Sequence, residues 1–161
     1  MTEISRILDQ FERFHDGDAW YGTPLAGILR DITAAQAMRR PIADAHTIWE
    51  LVLHITAWEG EVLRRLQTGE ARLPEEGDWQ EVRDSSETAW NQVLKRVQEV
   101  HAALMQEITR CADEYLDVVP AVPREREVGS GVSLYVLLHG IIQHGIYHAG
   151  QIAVLKKCVA G

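Results

Sequence analysis

Leu138-His-Gly-Ile-Ile-Gln-His-Gly-Ile-Tyr-His-Ala-Gly-Gln151 is the stretch that decides how this chain folds. It lies in the longest apolar segment, Val132 to Val154, and that segment carries His139, Gln143, His144, His148 and Gln151. So many polar groups argue against a membrane span and for a buried helix of a globular protein. The pattern predicts a helix from roughly Ser133 to Lys157. Within it, His144 and His148 are four residues apart, which places both imidazoles one turn apart on one face.

Upstream of this helix the same period recurs. Apolar residues fall at helical spacing, Pro and Gly lie between the periodic segments, and no run of alternating β-branched residues appears. A first helix is expected over Glu3 to His15, with Ile4, Ile7, Leu8, Phe11 and Phe14 on one stripe. After the Asp16-Gly-Asp18 break, Thr23-Pro24 opens a short helix near Pro24 to Asp31, and Thr33-Ala-Ala-Gln36 reads as another brief capped turn. Thr47-Ile-Trp-Glu50 is a capping box that starts a second long helix, ending near Thr68. Gly69 to Trp79 form a loop. Asp84 or Ser85 then caps a third long helix reaching about Tyr115, with Trp90, Val93, Leu94, Val97, Val100, Leu104 and Ile108 on its buried side. Val118 to Ser130, broken by Pro120, Pro123 and Gly129, makes a long connection to the last helix. The expected fold is all-α: one domain over residues 1–161, a four-helix bundle with short connecting helices. No internal repeat or low-complexity tract is present.

Composition sets the outer limits. The chain has 161 residues, 46% hydrophobic and 25% charged, enough to bury a core without staples. Its two cysteines, Cys111 and Cys158, form neither a disulfide framework nor a thiolate metal motif. Lys+Arg number 16 against Asp+Glu 24, for a net charge of −8, which repels a phosphate backbone. Nucleic acid and membrane are therefore not expected partners. The start, Met-Thr-Glu-Ile-Ser, lacks the basic and apolar regions of a signal peptide, so a cytoplasmic location is expected.

The His144/His148 pair has the spacing at which two imidazoles share an ion, although an isolated pair of this kind also occurs at polar helix seams. His54 alters that balance. It lies on the stripe of Leu51, Ile55, Trp58 and Val62, where an imidazole needs a partner, and a metal ion supplies one. A lone histidine on such a stripe is more often an ordinary core residue, but a pair on another long helix favours a shared ion. The other histidines read differently. His139 is out of phase with the pair, His15 and His46 are expected at the surface, and His101 is expected as a surface or packing residue.

Ile48-Trp-Glu-Leu-Val-Leu-His-Ile-Thr-Ala-Trp58 followed by Leu138 to Gln151 resembles the DinB-like (YfiT-like) family over nearly the whole chain. The resemblance implies a four-helix bundle, commonly homodimeric, with a three-histidine site for nickel, zinc or a related divalent ion such as iron or manganese. The family's ligand pattern falls on His54, His144 and His148. Some relatives are S-transferases or isomerases that use low-molecular-weight thiols, and many have no assigned reaction.

Three protein nitrogens leave a coordination position open, as in catalytic rather than structural zinc-type sites. An ion held so can activate water or bind a thiol as thiolate, which fits a small-molecule hydrolase or S-transferase. Residues expected to serve the site are Glu50, one turn before His54, and Tyr147 and Gln151 on the last helix. Each also has an ordinary task, Glu50 as capping-box acid and the other two in packing. Glu61 is expected in solvent, and Trp49 and Trp58 either wall a pocket or belong to the core. Gly140, Gly145 and Gly150 each cost up to about 1 kcal/mol of helix propensity, which close helix approach or access to the ion would offset. A di-iron bundle needs two Glu-x-x-His motifs, and only Glu12-Arg-Phe-His15 fits; HExxH is absent. The rival function is a non-catalytic metal-binding interaction module.

Overall fold

The computed structural model describes residues 1–120, 122–123 and 131–159. Six α-helices occur among them: α1 Glu3–His15, α2 Leu25–Leu29, α3 Ala34–Met38, α4 Ile48–Thr68, α5 Glu87–Ile108 and α6 Leu134–Val159. The architecture is all-α. Helix α4 packs along both α5 and α6, and α1 packs against α5 and α6, so the four long helices close a bundle with α2 and α3 against its flanks.

Local chemistry explains each start. Thr47 Oγ1 accepts from the Glu50 N–H while the Glu50 carboxylate accepts from the Thr47 N–H at 2.7 Å, satisfying two free donors of α4 at once. Gly69, with φ of 69°, ends α4 in the left-handed conformation that costs glycine least. Thr33 and Gln36 form a second capping box on α3. The short helix after Pro24 is narrower than its pattern suggested, Leu25–Leu29, and Pro24 itself is the cap residue.

The third long helix differs at both ends from its expected limits. Ser86, not Asp84 or Ser85, caps α5, because the Asp84 carboxylate is taken by the Ser86 N–H at 2.9 Å, leaving Ser86 Oγ to accept from Ala89. At the other end α5 stops at Ile108 rather than near Tyr115. Asp113 Oδ2 and Oδ1 accept the Glu3 and Ile4 N–H groups at 2.7 and 2.9 Å, so residues 113–115 are drawn out as a separate 3₁₀ turn that caps α1. A two-residue parallel pairing, β1 Glu70–Ala71 with β2 Val122–Pro123, is the one strand pair among the described residues. The rest of the expected connection, residue 121 and residues 124–130, lies outside the described residues.

Two side chains sit deeper than expected. Glu61 is buried, not solvated: its carboxylate accepts from Arg64, from Arg65 and from the Arg72 N–H at 2.9 Å, and this latch fixes where the chain leaves α4. His15 is also buried, because the end of α1 turns into the bundle and stacks its ring on that of His101, centroids 3.8 Å apart. Gly145 marks the tightest approach of α1 to α6. A Cβ there would come within 2.5 Å of Phe14 Cζ. Trp49 is fully buried against Trp90 and belongs to the core.

Candidate metal centre

His54 projects from the second turn of α4, and His144 and His148 project from the middle of α6. The packing of α4 on α6 brings one ring nitrogen from each to within 4.8 Å of the others. His54 Nε2 and His144 Nε2 are 2.9 Å apart. The His148 ring meets those of His54 and His144 edge-on, at centroid distances of 4.7 and 4.6 Å. Among the described residues this is the one His, Cys, Asp and Glu group with metal-ligand convergence.

The outward nitrogens decide what the inward ones can do. His54 Nδ1 lies 2.8 Å from the Asp78 carbonyl oxygen, which only accepts, so Nδ1 carries the proton and Nε2 presents its lone pair to the centre. His148 Nδ1 is 2.7 Å from Gln151 Oε1, and that donation frees its Nε2 in the same way. Nδ1 of His144 is buried without a partner. Burial pushes His144 down to about 4, with repulsion from His148 and His54 adding to it. Burial also lowers His148, against a smaller opposing effect of Gln151. Both rings are therefore neutral near pH 7, the form that ligates. Two nitrogens 2.9 Å apart that both aim at the same point repel unless a proton or a cation lies between them. The donor set thus fits a divalent ion.

Aromatic rings wall the group. Trp79 lies flat on His54, centroids 3.9 Å apart and planes within 1°, and His46 stacks on the other face of Trp79 at 3.5 Å. Trp58 meets His54 and His144 edge-on at 6.4 and 6.2 Å, and its Nε1–H donates to Asp78 Oδ1 at 2.7 Å. The 69–86 segment is thereby pinned at the centre by Asp78 and Trp79 and at its start by Glu61.

Of the residues expected to serve the site, Gln151 touches one of the three converging histidines, His148, directly. Tyr147 places its ring 5.0 Å from that of His148 but is mostly exposed. Glu50 touches none of the three histidines: besides capping α4 it holds Arg40 through both carboxylate oxygens, at 2.8 and 2.9 Å. Trp58 does wall the site, and His139 stays outside the group, packed against Tyr135. Asp78 and Trp79 were not legible as site residues. The first acts on His54 through its backbone carbonyl, which no residue type reveals; a tryptophan in an otherwise polar loop was the one available signal.

An all-α bundle with three imidazoles converging from two of its helices defines a class of helical proteins with a constellation that could hold a metal ion. The family model of the DinB superfamily matches residues 23–152, and the chain belongs to that superfamily. No curated protein and no solved structure gives a significant match.

Proposed function

We propose that the chain is a metal-dependent enzyme that acts on a small molecule, as an S-transferase using a low-molecular-weight thiol or as a hydrolase. His54, His144 and His148 are the ligands in this reading, and nickel or zinc is the favoured ion, with iron and manganese as alternatives for a nitrogen donor set. The supporting observation is the convergence of three ring nitrogens within 4.8 Å, two of them with their outer nitrogens held. When bound, the ion supplies Lewis acidity, lowering the pKa of water or a thiol so that a nucleophile is available near neutral pH.

The remaining work falls to the chain. The Asp78 carbonyl and Gln151 fix the tautomers of His54 and His148, and burial keeps protons off His144 and His148. Trp58 and Trp79 exclude water from the flanks and hold the His54 ring in plane. Three protein nitrogens leave room for a water or substrate donor, the feature that favours catalysis over a structural role. The second reading, a non-catalytic metal-binding module, draws on Asp78, whose carboxylate beside the centre, 3.3 Å from His54 Nδ1, already accepts from Trp58 and so is not free to act as a general base.

The test is metal loading followed by thiol transfer to a chromogenic electrophile, with cysteine, glutathione and other small thiols compared. Turnover that needs stoichiometric metal and vanishes in His148→Ala supports the enzyme. Stoichiometric metal without turnover on thiol or ester substrates supports the module, and protein that takes up no metal defeats both.

A further inference from the structure

Three flat rings from three parts of the chain are stacked beside the centre. Trp79 lies between His54, 3.9 Å away, and His46, 3.5 Å away, with planes within 2° of parallel at both contacts. Its edge also meets the His148 ring, at 6.0 Å. The other aromatic neighbours of the three histidines, Trp58 and Tyr147, ride on α4 and α6, the helices that carry the histidines themselves. Among the described residues, Trp79 is the ring over the centre that comes from an irregular stretch.

That stretch is lightly held. Between Asp78 and Ser85 the chain makes no backbone–backbone hydrogen bond among the described residues. Gly77, just before it, has φ of 90°, and nothing stands within 4 Å of where its Cβ would be. On the N-terminal side the chain is tied, by the Gly77 N–H donating to the Pro74 carbonyl and by the Glu76–Arg96 ion pair. A left-handed glycine between a tied turn and an untied stretch is a ready hinge. What holds the stretch down lies at the centre: the Asp78 carbonyl on His54, the Asp78 carboxylate on Trp58, and the Trp79 ring in its stack. Segments held by so few contacts open at low free-energy cost.

His46 makes no hydrogen bond or ring contact with the three histidines; its ring contact is with Trp79. It directly precedes the Thr47 cap, so the capping box that starts α4 fixes its position, and Glu50 Oε2 stands 3.6 Å from its Nδ1. A ring anchored to α4 thus backs Trp79 on the side away from His54.

We infer that residues 78–85 form a strap that lifts to let an ion enter or leave the centre, and that His46 is the positioning residue that keeps it down by backing Trp79. The inference rests on the metal-centre reading above and adds a route to it. His54 and His148 are buried, and the packed helices α4 and α6 carry all three ligands, so exchange runs past Trp79 rather than between the helices.

Zinc release from loaded protein to an excess of a chromophoric chelator, followed by stopped flow, tests this. Opening of the strap limits release, so the rate is expected not to depend on chelator concentration. His46→Ala removes one stacked pair and should speed release about twofold to tenfold. Affinity, measured by competition, should change by less than about twofold, because the closed strap remains the major form and loading speeds up with release. His46→Phe restores the stack and should bring release back to within about twofold of the unsubstituted protein. A rate that rises in proportion to chelator in the unsubstituted protein overturns the inference even if His46→Ala fails to fold. Unchanged release in folded His46→Ala, a loss of affinity as large as the gain in rate, or no recovery in His46→Phe also overturns it. Protein that takes up no zinc defeats the metal reading, and with it this one.

Discussion

Two groups of buried histidines lie in the same bundle, and they are built in opposite ways. His54, His144 and His148 converge by their nitrogens, and the outer nitrogens of two of them are held by Asp78 and Gln151. His15 and His101 converge by their faces, planes within 9° of parallel, with His15 Nε2 and His101 Nδ1 buried and unpartnered. Glu59 stands 3.7 Å from His101 Nδ1, too far for a hydrogen bond. Burial alone therefore does not make imidazoles a ligand set. What sets the three-histidine group apart is that its nitrogens aim at a shared point, an orientation that second contacts hold for two of the three rings, His54 and His148. A stacked pair lacking such contacts is a packing element, and one sensitive to protons.

The largest effect that separates the two groups is on metal affinity. His54→Ala should lower affinity for nickel or zinc by at least about a thousandfold, since it removes one of three ligands. The double variant His15→Phe with His101→Phe should keep one ion per chain, as read by elemental analysis after dialysis. Loss of metal from the double variant would erase the distinction.

Acid should act next, through the stacked pair. Burial lowers His15 to about 4, with repulsion from His101 adding to this and Asp16 opposing it. The unfolded chain then binds the proton more readily than the folded one, so stability is complete above the unfolded value near 6.5 and is lost as pH falls from there toward 4. The loss is on the order of 3 kcal/mol for a shift of this size. Urea melts of metal-free protein across this range should show that slope together with the contribution of His144 and His148, which burial lowers in the same way, and His15→Phe should reduce it without abolishing it. A slope unchanged in His15→Phe would remove the proton-sensitive role from the pair.

A smaller change sharpens the other side of the contrast. Gln151→Ala leaves all three ligands in place but frees the His148 ring to turn, and metal affinity should fall by about tenfold to a hundredfold. Isothermal titration measures it. Gln151→Glu restores an acceptor for Nδ1–H and should recover most of the loss, a rescue that a mere packing role would not produce.

Much of this was legible in the residues themselves. The α1 limits, the α4 capping box and the three convergent histidines all follow from period and spacing, because they depend on contacts within one helix or on two faces of the same phase. What escaped was set by contacts across the chain. Asp113 reaches from the far end of α5 to cap α1 and so shortens α5, a pairing no local pattern encodes. Glu61 on α4 resembles a surface acid until Arg64, Arg65 and the Arg72 N–H surround it. His15 ends an amphipathic helix, where a surface position favoured by the helix dipole is the ordinary expectation, and His101 from α5 draws it inward. Asp78 and Trp79 sit in a loop whose start is fixed by such a contact, that of the Arg72 N–H with Glu61.

X-ray absorption of protein loaded with one equivalent of nickel or zinc tests the central claim most directly. The account predicts one tightly held ion whose spectrum requires three imidazole nitrogens, with the imidazole scattering reduced in His54→Ala and in His148→Ala alike. An ion with no imidazole in its shell, or a spectrum unchanged by either substitution, would contradict it.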